Sequence, residues 1–161
     1  MATIHLLHGF VGAGKTTFAK KLERKLNAVR FTPDEWMSKL YGSNPPAKHF
    51  QKYLANIIDL IWLNSERLVA LDIDVILDFG FWSRSSRDEA RKKAEELGAD
   101  IRLYYIVCKE DKMRRRVLKR TEQLPEGTLW INEAAIDLFK KRFEPLGKDE
   151  EHITIKTEKS V

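Results

Sequence analysis

An α/β fold built on a parallel sheet is the architecture that this 161-residue sequence predicts. Three observations carry that reading. Short apolar runs alternate with longer amphipathic segments along the whole chain, the pattern of strands joined by helical crossovers. The first apolar run ends in a glycine-rich loop that opens directly into a helix. The composition, 43% hydrophobic and 33% charged in a chain of this length, suits one continuous core.

The elements follow in order. Thr3–His8 is an apolar run stopped by glycine and reads as the first strand. Residues 16–27 follow as a helix, with Phe18, Leu22 and Leu26 on one face. Residues 28–32 form a second strand, stopped by Pro33. Residues 34–41 make a short helix with proline and acidic residues at its start. A loop over 42–46 leads to a long helix over 49–71, whose Phe50, Tyr53, Leu54, Ile57, Ile58 and Ile61 keep helical spacing. Residues 74–79 are a third strand, and a charged helix over 85–97 stops at Gly98. Residues 101–108 are a fourth strand. A very basic helix over 109–124 is broken by Pro125-Glu126-Gly127. Asn132 caps another helix that runs to about Phe143, and residues 152–157 form the last strand. No repeat, low-complexity tract or long linker divides the chain, so residues 1–161 are expected to be one domain.

The net charge is +5 and the isoelectric point about 9.3, a balance that favours an anionic partner. The 29 basic residues are interleaved with 24 acidic ones, so no broad single-sign surface is implied; a nucleotide satisfies the expectation, and nucleic acid is allowed but not favoured. The lone cysteine, Cys108, excludes an internal disulfide and points to a reducing compartment. The chain starts without a basic-then-apolar leader, and its apolar runs fall short of the ~20 residues of a membrane span. The expectation is a cytoplasmic protein with no membrane association.

Gly9-Phe10-Val11-Gly12-Ala13-Gly14-Lys15-Thr16 meets the pattern G-x-x-x-x-G-K-[ST] in full, between a strand and a helix as its mechanism requires. Glycines let the loop curl so that N–H groups from Gly9 and Val11 through Thr17 point at phosphate oxygens. Lys15 brings a point charge to the β- and γ-phosphates, Thr16 brings its hydroxyl to magnesium, and the helix start adds its dipole. ATP with Mg2+ is the expected cofactor.

Asp34 leaves the second strand at the same sheet edge, where a carboxylate can accept the proton of an attacking hydroxyl; a helix cap is the alternative for an aspartate there. Asp78 closes an apolar strand, the place of a metal-side carboxylate, with a turn residue as the alternative. Arg84 and Arg87 open the next helix at that edge and are candidates for binding substrate or a transferring phosphoryl group, with a solvated helix start as the alternative for Arg84. Trp36, Phe81 and Trp82 are candidates for lining an acceptor pocket, with core packing as the competing reading. On the basic helix Met113, Arg116, Val117, Arg120 and Leu124 fall on one stripe. Two inward arginines call for an anion, which suits residues 109–131 as a lid over the phosphates, with a salt-bridged structural helix as the alternative. Arg114, Arg115 and Lys119 read as solvated, and no metal-ligand spacing joins His5, His8, His49 and His152.

The loop from Gly9 to Thr16, Asp34 after strand two, Asp78 with Arg87 nine residues on, and the arginines Arg116 and Arg120 together resemble the small P-loop kinases of the AAA-type ATP-binding group. Polynucleotide 5′-hydroxyl kinases, chloramphenicol phosphotransferase and zeta-toxin kinases are similar. The resemblance covers nearly the whole chain. It implies a P-loop NTPase fold, a three-layer α/β/α sandwich with a five-stranded parallel sheet and a helical lid. It also implies ATP–magnesium, phosphoryl transfer to a hydroxyl, Asp34 as general base and the lid arginines over the phosphates. Polynucleotide kinases carry Asp-x-Thr after strand three; this chain has Asp78-Phe79-Gly80-Phe81-Trp82. The departure leans toward a small, partly apolar acceptor such as an antibiotic or a sugar. A 5′-hydroxyl polynucleotide kinase and a nucleotide-dependent switch or nucleic-acid-binding ATPase are the alternatives.

Overall fold

In chain order the computed structural model has β1 (Thr3–His8), α1 (Lys15–Leu26), β2 (Val29–Phe31), α2 (Pro33–Tyr41), α3 (Ala47–Ala70), β3 (Val75–Gly80), α4 (Arg84–Glu96), β4 (Asp100–Val107), α5 (Glu110–Gln123), α6 (Glu133–Arg142) and β5 (Ile153–Lys156). Residues 1–157 are described; the last four residues of the expected domain, 158–161, lie outside the described residues. The strands form one five-stranded sheet in the order β2-β3-β1-β4-β5, every pairing parallel. Ile4 sits opposite both Val75 and Ile101, which fixes β1 between β3 and β4.

Helices cover both faces of this sheet, which is why its central strands are apolar on both sides. On one face Ile4, Leu6, Val75, Leu77 and Leu103 pack with Met37 of α2, Ile57 and Ile61 of α3, and Ala90 and Ala94 of α4. On the other, Leu7, Ile76, Tyr104 and Ile106 pack with Ala19 and Leu22 of α1, and Met113 of α5 joins them. The alternation follows from the period of two along a strand. The result is the three-layer P-loop NTPase architecture, with each strand's C-terminal end at one edge. Among the described residues no helix is long and apolar enough to cross a membrane.

The local stop signals act as the residue types dictate. Gly98 follows α4 with φ of 68°, and the Asn132 side chain accepts from the Ala135 N–H at 2.9 Å to cap α6. Asp34 departs from the capping alternative. The cap of α2 is Thr32, with Pro33 in the first turn and Asp34 one residue further in. Asp78 is likewise no turn residue, because β3 continues through Gly80.

Candidate active site

Chain reversal after β1 demands glycine. Gly12 and Gly14 have φ of 80° and 99°, and a Cβ on Gly12 would lie 2.5 Å from the Met113 carbonyl oxygen of α5. The loop is therefore wedged between the end of β1 and the basic helix. Gly14 precedes α1 without a side-chain cap, which leaves the helix's first N–H groups directed into the loop. The Lys15 ammonium folds over the loop and donates to the Phe10 carbonyl at 2.9 Å.

Asp78 stands next to this helix start. Its Oδ2 accepts the Thr16 hydroxyl at 2.6 Å and the Thr32 hydroxyl at 3.0 Å. Its Oδ1 is buried and makes no hydrogen bond. Burial pushes the Asp78 carboxyl up, and Lys15 with the two hydroxyls pulls it down. The Thr32 hydroxyl donates to Asp78 and its oxygen accepts from Arg30 Nη1, so it makes no cap bond to α2. The sequence reading missed Thr32, although its place at the end of strand two, two residues before Asp34, was a usable signal.

Asp34 is exposed to solvent on its outer side, while protein atoms crowd around the rest of its carboxyl. Burial raises its carboxyl, Lys15 and Arg120 lower it, and Glu35 raises it. The same charges recur around the other members. Burial lowers the Lys15 ammonium while Asp78 and Asp34 raise it, and Arg120 lowers it. Burial lowers Arg120, with Asp34 and Asp78 acting against it. Lys15, Asp34, Asp78 and Arg120 therefore meet in one electrostatic field, although they come from α1, α2, β3 and α5.

Arg116, one turn before Arg120, sits elsewhere. It donates to the Gly12 carbonyl at 3.3 Å and to the Thr157 carbonyl at 3.0 Å. Thr157, also missed from sequence, closes the loop's far side: its hydroxyl donates to the Ala13 carbonyl, and a Cβ on Gly14 would touch its side chain at 3.2 Å. The segment after α5 reaches across the cleft. Gly127 abuts Glu35, and the Trp130 N–H donates to the Ser43 carbonyl at 2.8 Å. A cavity of about 890 Å³ beside α2 is lined by Lys20, Arg30, Glu35, Trp36, Ser38, Lys39, Glu126 and Gly127, with Leu40 and Leu60.

Three candidate substrate residues are placed differently from expectation. Arg87 is 0% exposed and turns inward, because Glu150 and four backbone carbonyls take its guanidinium. Arg84 pairs with Asp88 and Asp149 at the surface. Trp82 lies under the phosphate loop: its indole N–H donates to the Gly9 carbonyl at 2.9 Å, and its ring stacks on Phe10. Phe81 belongs to the core. The aromatic segment that suggested an apolar acceptor pocket is thus consumed by the scaffold, and of the three candidate aromatics only Trp36 faces the cavity.

His8, the last residue before the loop, is fully buried; its Nδ1 bonds the Phe81 carbonyl at 2.8 Å and its ring stacks on Phe143. Burial brings its pKa down from 6.5 to about 4. The neutral form is the native one, so His8 binds a proton on unfolding wherever the pH is below 6.5. Stability is expected to be undiminished above pH 6.5 and to fall toward pH 4, by at most about 3 kcal/mol from this residue. Denaturant unfolding of His8→Gln across that window should give a shallower slope against pH than the parent; an unchanged slope would contradict the assignment.

The family model of the AAA domain matches residues 4–146. No curated protein sequence matches the chain. Among solved structures, a candidate kinase from Chloroflexus aurantiacus superposes with a TM-score of 0.78 at 17% identity, covering 98% of this chain and 89% of that one. Kti12 from Chaetomium thermophilum in complex with ADP-AlF3 gives 0.72 at 15%, covering 96% and 89%. A gluconokinase from Sinorhizobium meliloti gives 0.63 at 14%, covering 96% and 82%. At these identities the likeness is one of fold.

Proposed function

The chain belongs to the AAA domain family, and from that premise we propose that it is an ATP-dependent phosphotransferase that moves the γ-phosphate to a hydroxyl of a small molecule. The observation that carries the proposal is the meeting of Lys15, Asp34, Asp78 and Arg120 beside an intact phosphate loop. The kinase and gluconokinase folds, and the ADP-AlF3 held by the Kti12 neighbour, support it. In this reading the loop residues Gly9 and Val11 through Thr17 hold the phosphates, and residues 109–131 act as the lid of a single domain.

The residues around Asp78 fit a magnesium ion. A buried carboxylate oxygen without a hydrogen bond stands beside the Thr16 hydroxyl, a hard oxygen pair of the kind that completes its shell with phosphates and water. Among the described residues no group of three or more His, Cys, Asp or Glu could hold a metal, which suits an ion that arrives with its nucleotide. When bound, the ion neutralises charge on the β- and γ-oxygens. The chain's own work is to hold and to orient. Lys15 pairs with the phosphates, Asp34 takes the acceptor hydroxyl's proton, and Arg120 offsets charge as the phosphoryl group moves.

The cavity beside α2 suits a polar, hydroxyl-rich acceptor. Trp36 offers one ring face, and Glu35, Glu126, Ser38, Lys20 and Lys39 offer acceptors and donors around it. Buried Cys108 supports a reducing compartment. Transfer of labelled γ-phosphate across a panel of sugars, polyols, aminoglycoside and phenolic antibiotics, nucleosides and oligonucleotides tests the proposal. Sugars or polyols are expected to be labelled. Labelled oligonucleotide ends would move the acceptor to nucleic acid; ATP hydrolysis without transfer to any acceptor would make the protein a switch.

A further inference from the structure

The proposed mechanism makes no use of Arg87, a side chain whose whole guanidinium is hydrogen-bonded. Arg87 directs every N–H of its guanidinium to a partner. Nε donates to Glu150 Oε2 at 2.8 Å and Nη2 to Glu150 Oε1 at 3.0 Å and the Pro145 carbonyl at 3.3 Å. Nη1 lies within reach of three carbonyls, Phe81 at 2.9 Å, Trp82 at 3.2 Å and Glu144 at 3.1 Å. Glu150 is itself 4% exposed and takes a further N–H from Gly147 at 3.0 Å. The pair thus staples the link after β3 to the segment after α6. A buried ion pair is a poor source of net stability, since an apolar pair of similar volume often does as well. What it supplies here is geometry.

That geometry is specific. Gly80 and Phe81 are both left-handed, with φ of 87° and 46°, and for phenylalanine that conformation is costly. The double turn aims the Trp82 indole back at the start of the phosphate loop. Gly9 is then held on both sides: its N–H donates to the Gly80 carbonyl at 3.1 Å, and its carbonyl accepts from Trp82 at 2.9 Å. The carbonyls that fix the strained turn are the ones that Arg87 holds.

We propose that the Arg87–Glu150 pair is a positioning element for the phosphate loop, acting through Trp82 on Gly9, and that it thereby sets the affinity for nucleotide. The inference rests on the nucleotide-binding reading of the loop. The test is calorimetric binding of magnesium-ATP to the full chain and to Trp82→Phe, Arg87→Lys, Glu150→Gln and the Trp82→Phe/Arg87→Lys double variant, each with its melting temperature. Trp82→Phe keeps an aromatic ring but loses the indole N–H to the Gly9 carbonyl and part of the packing on Phe10 and Phe139, so affinity should fall about two- to tenfold. Arg87→Lys and Glu150→Gln should fall comparably, and the double variant no further than the worse single one, because both act along one path. A nucleotide-induced change in tryptophan fluorescence, to which the Trp82–Phe10 stack contributes, should shrink in Trp82→Phe.

Wild-type affinity in Trp82→Phe, an unaltered fluorescence change, or full additivity with Arg87→Lys would overturn the inference while the nucleotide-binding reading stands. A parent protein that does not bind magnesium-ATP would overturn both. Should Arg87→Lys not fold, Trp82→Phe with Glu150→Gln gives the same cycle.

Discussion

Asp34→Asn is expected to lower kcat about a thousandfold while leaving the dissociation constant for magnesium-ATP within about twofold of the parent. The substitution keeps the shape of the side chain and removes only its capacity to take a proton. Asp34 is exposed to solvent, whereas Asp78, the other carboxylate of the group, is buried and bound by two hydroxyls. Of the two, Asp34 is the one an incoming hydroxyl can reach. Burial holds its carboxyl above the usual carboxylate range against the pull of Lys15 and Arg120. A base works only when ionised, so kcat should fall on the acid side, through a pKa above 3.8. The sign for stability is opposite to that for activity. A carboxylate whose folded pKa is raised costs stability at any pH where it is ionised, and the cost disappears as pH falls through the folded value. Asp34→Asn should therefore melt at or above the parent's temperature at pH 7. Near-parental turnover would remove Asp34 from the role.

That split between a stable scaffold and a strained site also explains what was legible in the sequence. Strand and helix signals rest on local patterns, so all five strands and six helices were readable, with ends displaced by a residue or two. The phosphate loop was legible because glycine, lysine and threonine are each demanded by backbone or charge at a fixed spacing. Asp34 and Asp78 were legible as carboxylates at one sheet edge, but their distinct surroundings were not, because Thr32 and Arg120 reach them from elsewhere in the fold. Arg87 was misjudged for the same reason. Its partner Glu150 lies 63 residues away, and nothing local says that a helix-start arginine will turn inward. The aromatics at Phe81 and Trp82 misled because residue type marks burial without saying against what. Thr157 closes the phosphate loop from beyond the last strand, a contact created by the β4–β5 pairing rather than by any motif.

The two lid arginines, equivalent on the helical stripe, should separate in kinetics. Arg116 donates to the Gly12 and Thr157 carbonyls. Arg120, one turn along α5, shares its field with Asp34 and Asp78, and Arg116 disfavours its charge. A guanidinium held where its charge is disfavoured by burial gains most when negative charge develops beside it, which is the condition for stabilising a transition state rather than a ground state. Arg120→Lys and Arg120→Ala should each lower kcat by about a hundredfold to a thousandfold, with nucleotide affinity nearly retained. Lysine is expected to rescue little, since its ammonium lacks the planar fork that spans two phosphoryl oxygens. Arg116→Ala should do the reverse, weakening nucleotide binding about tenfold and sparing kcat. Steady-state kinetics with the labelled acceptor, paired with calorimetric ATP binding, read both parameters. Equal losses of kcat in the two variants would mean that the lid acts as one charge, and that the turn of helix between the two arginines carries no division of labour.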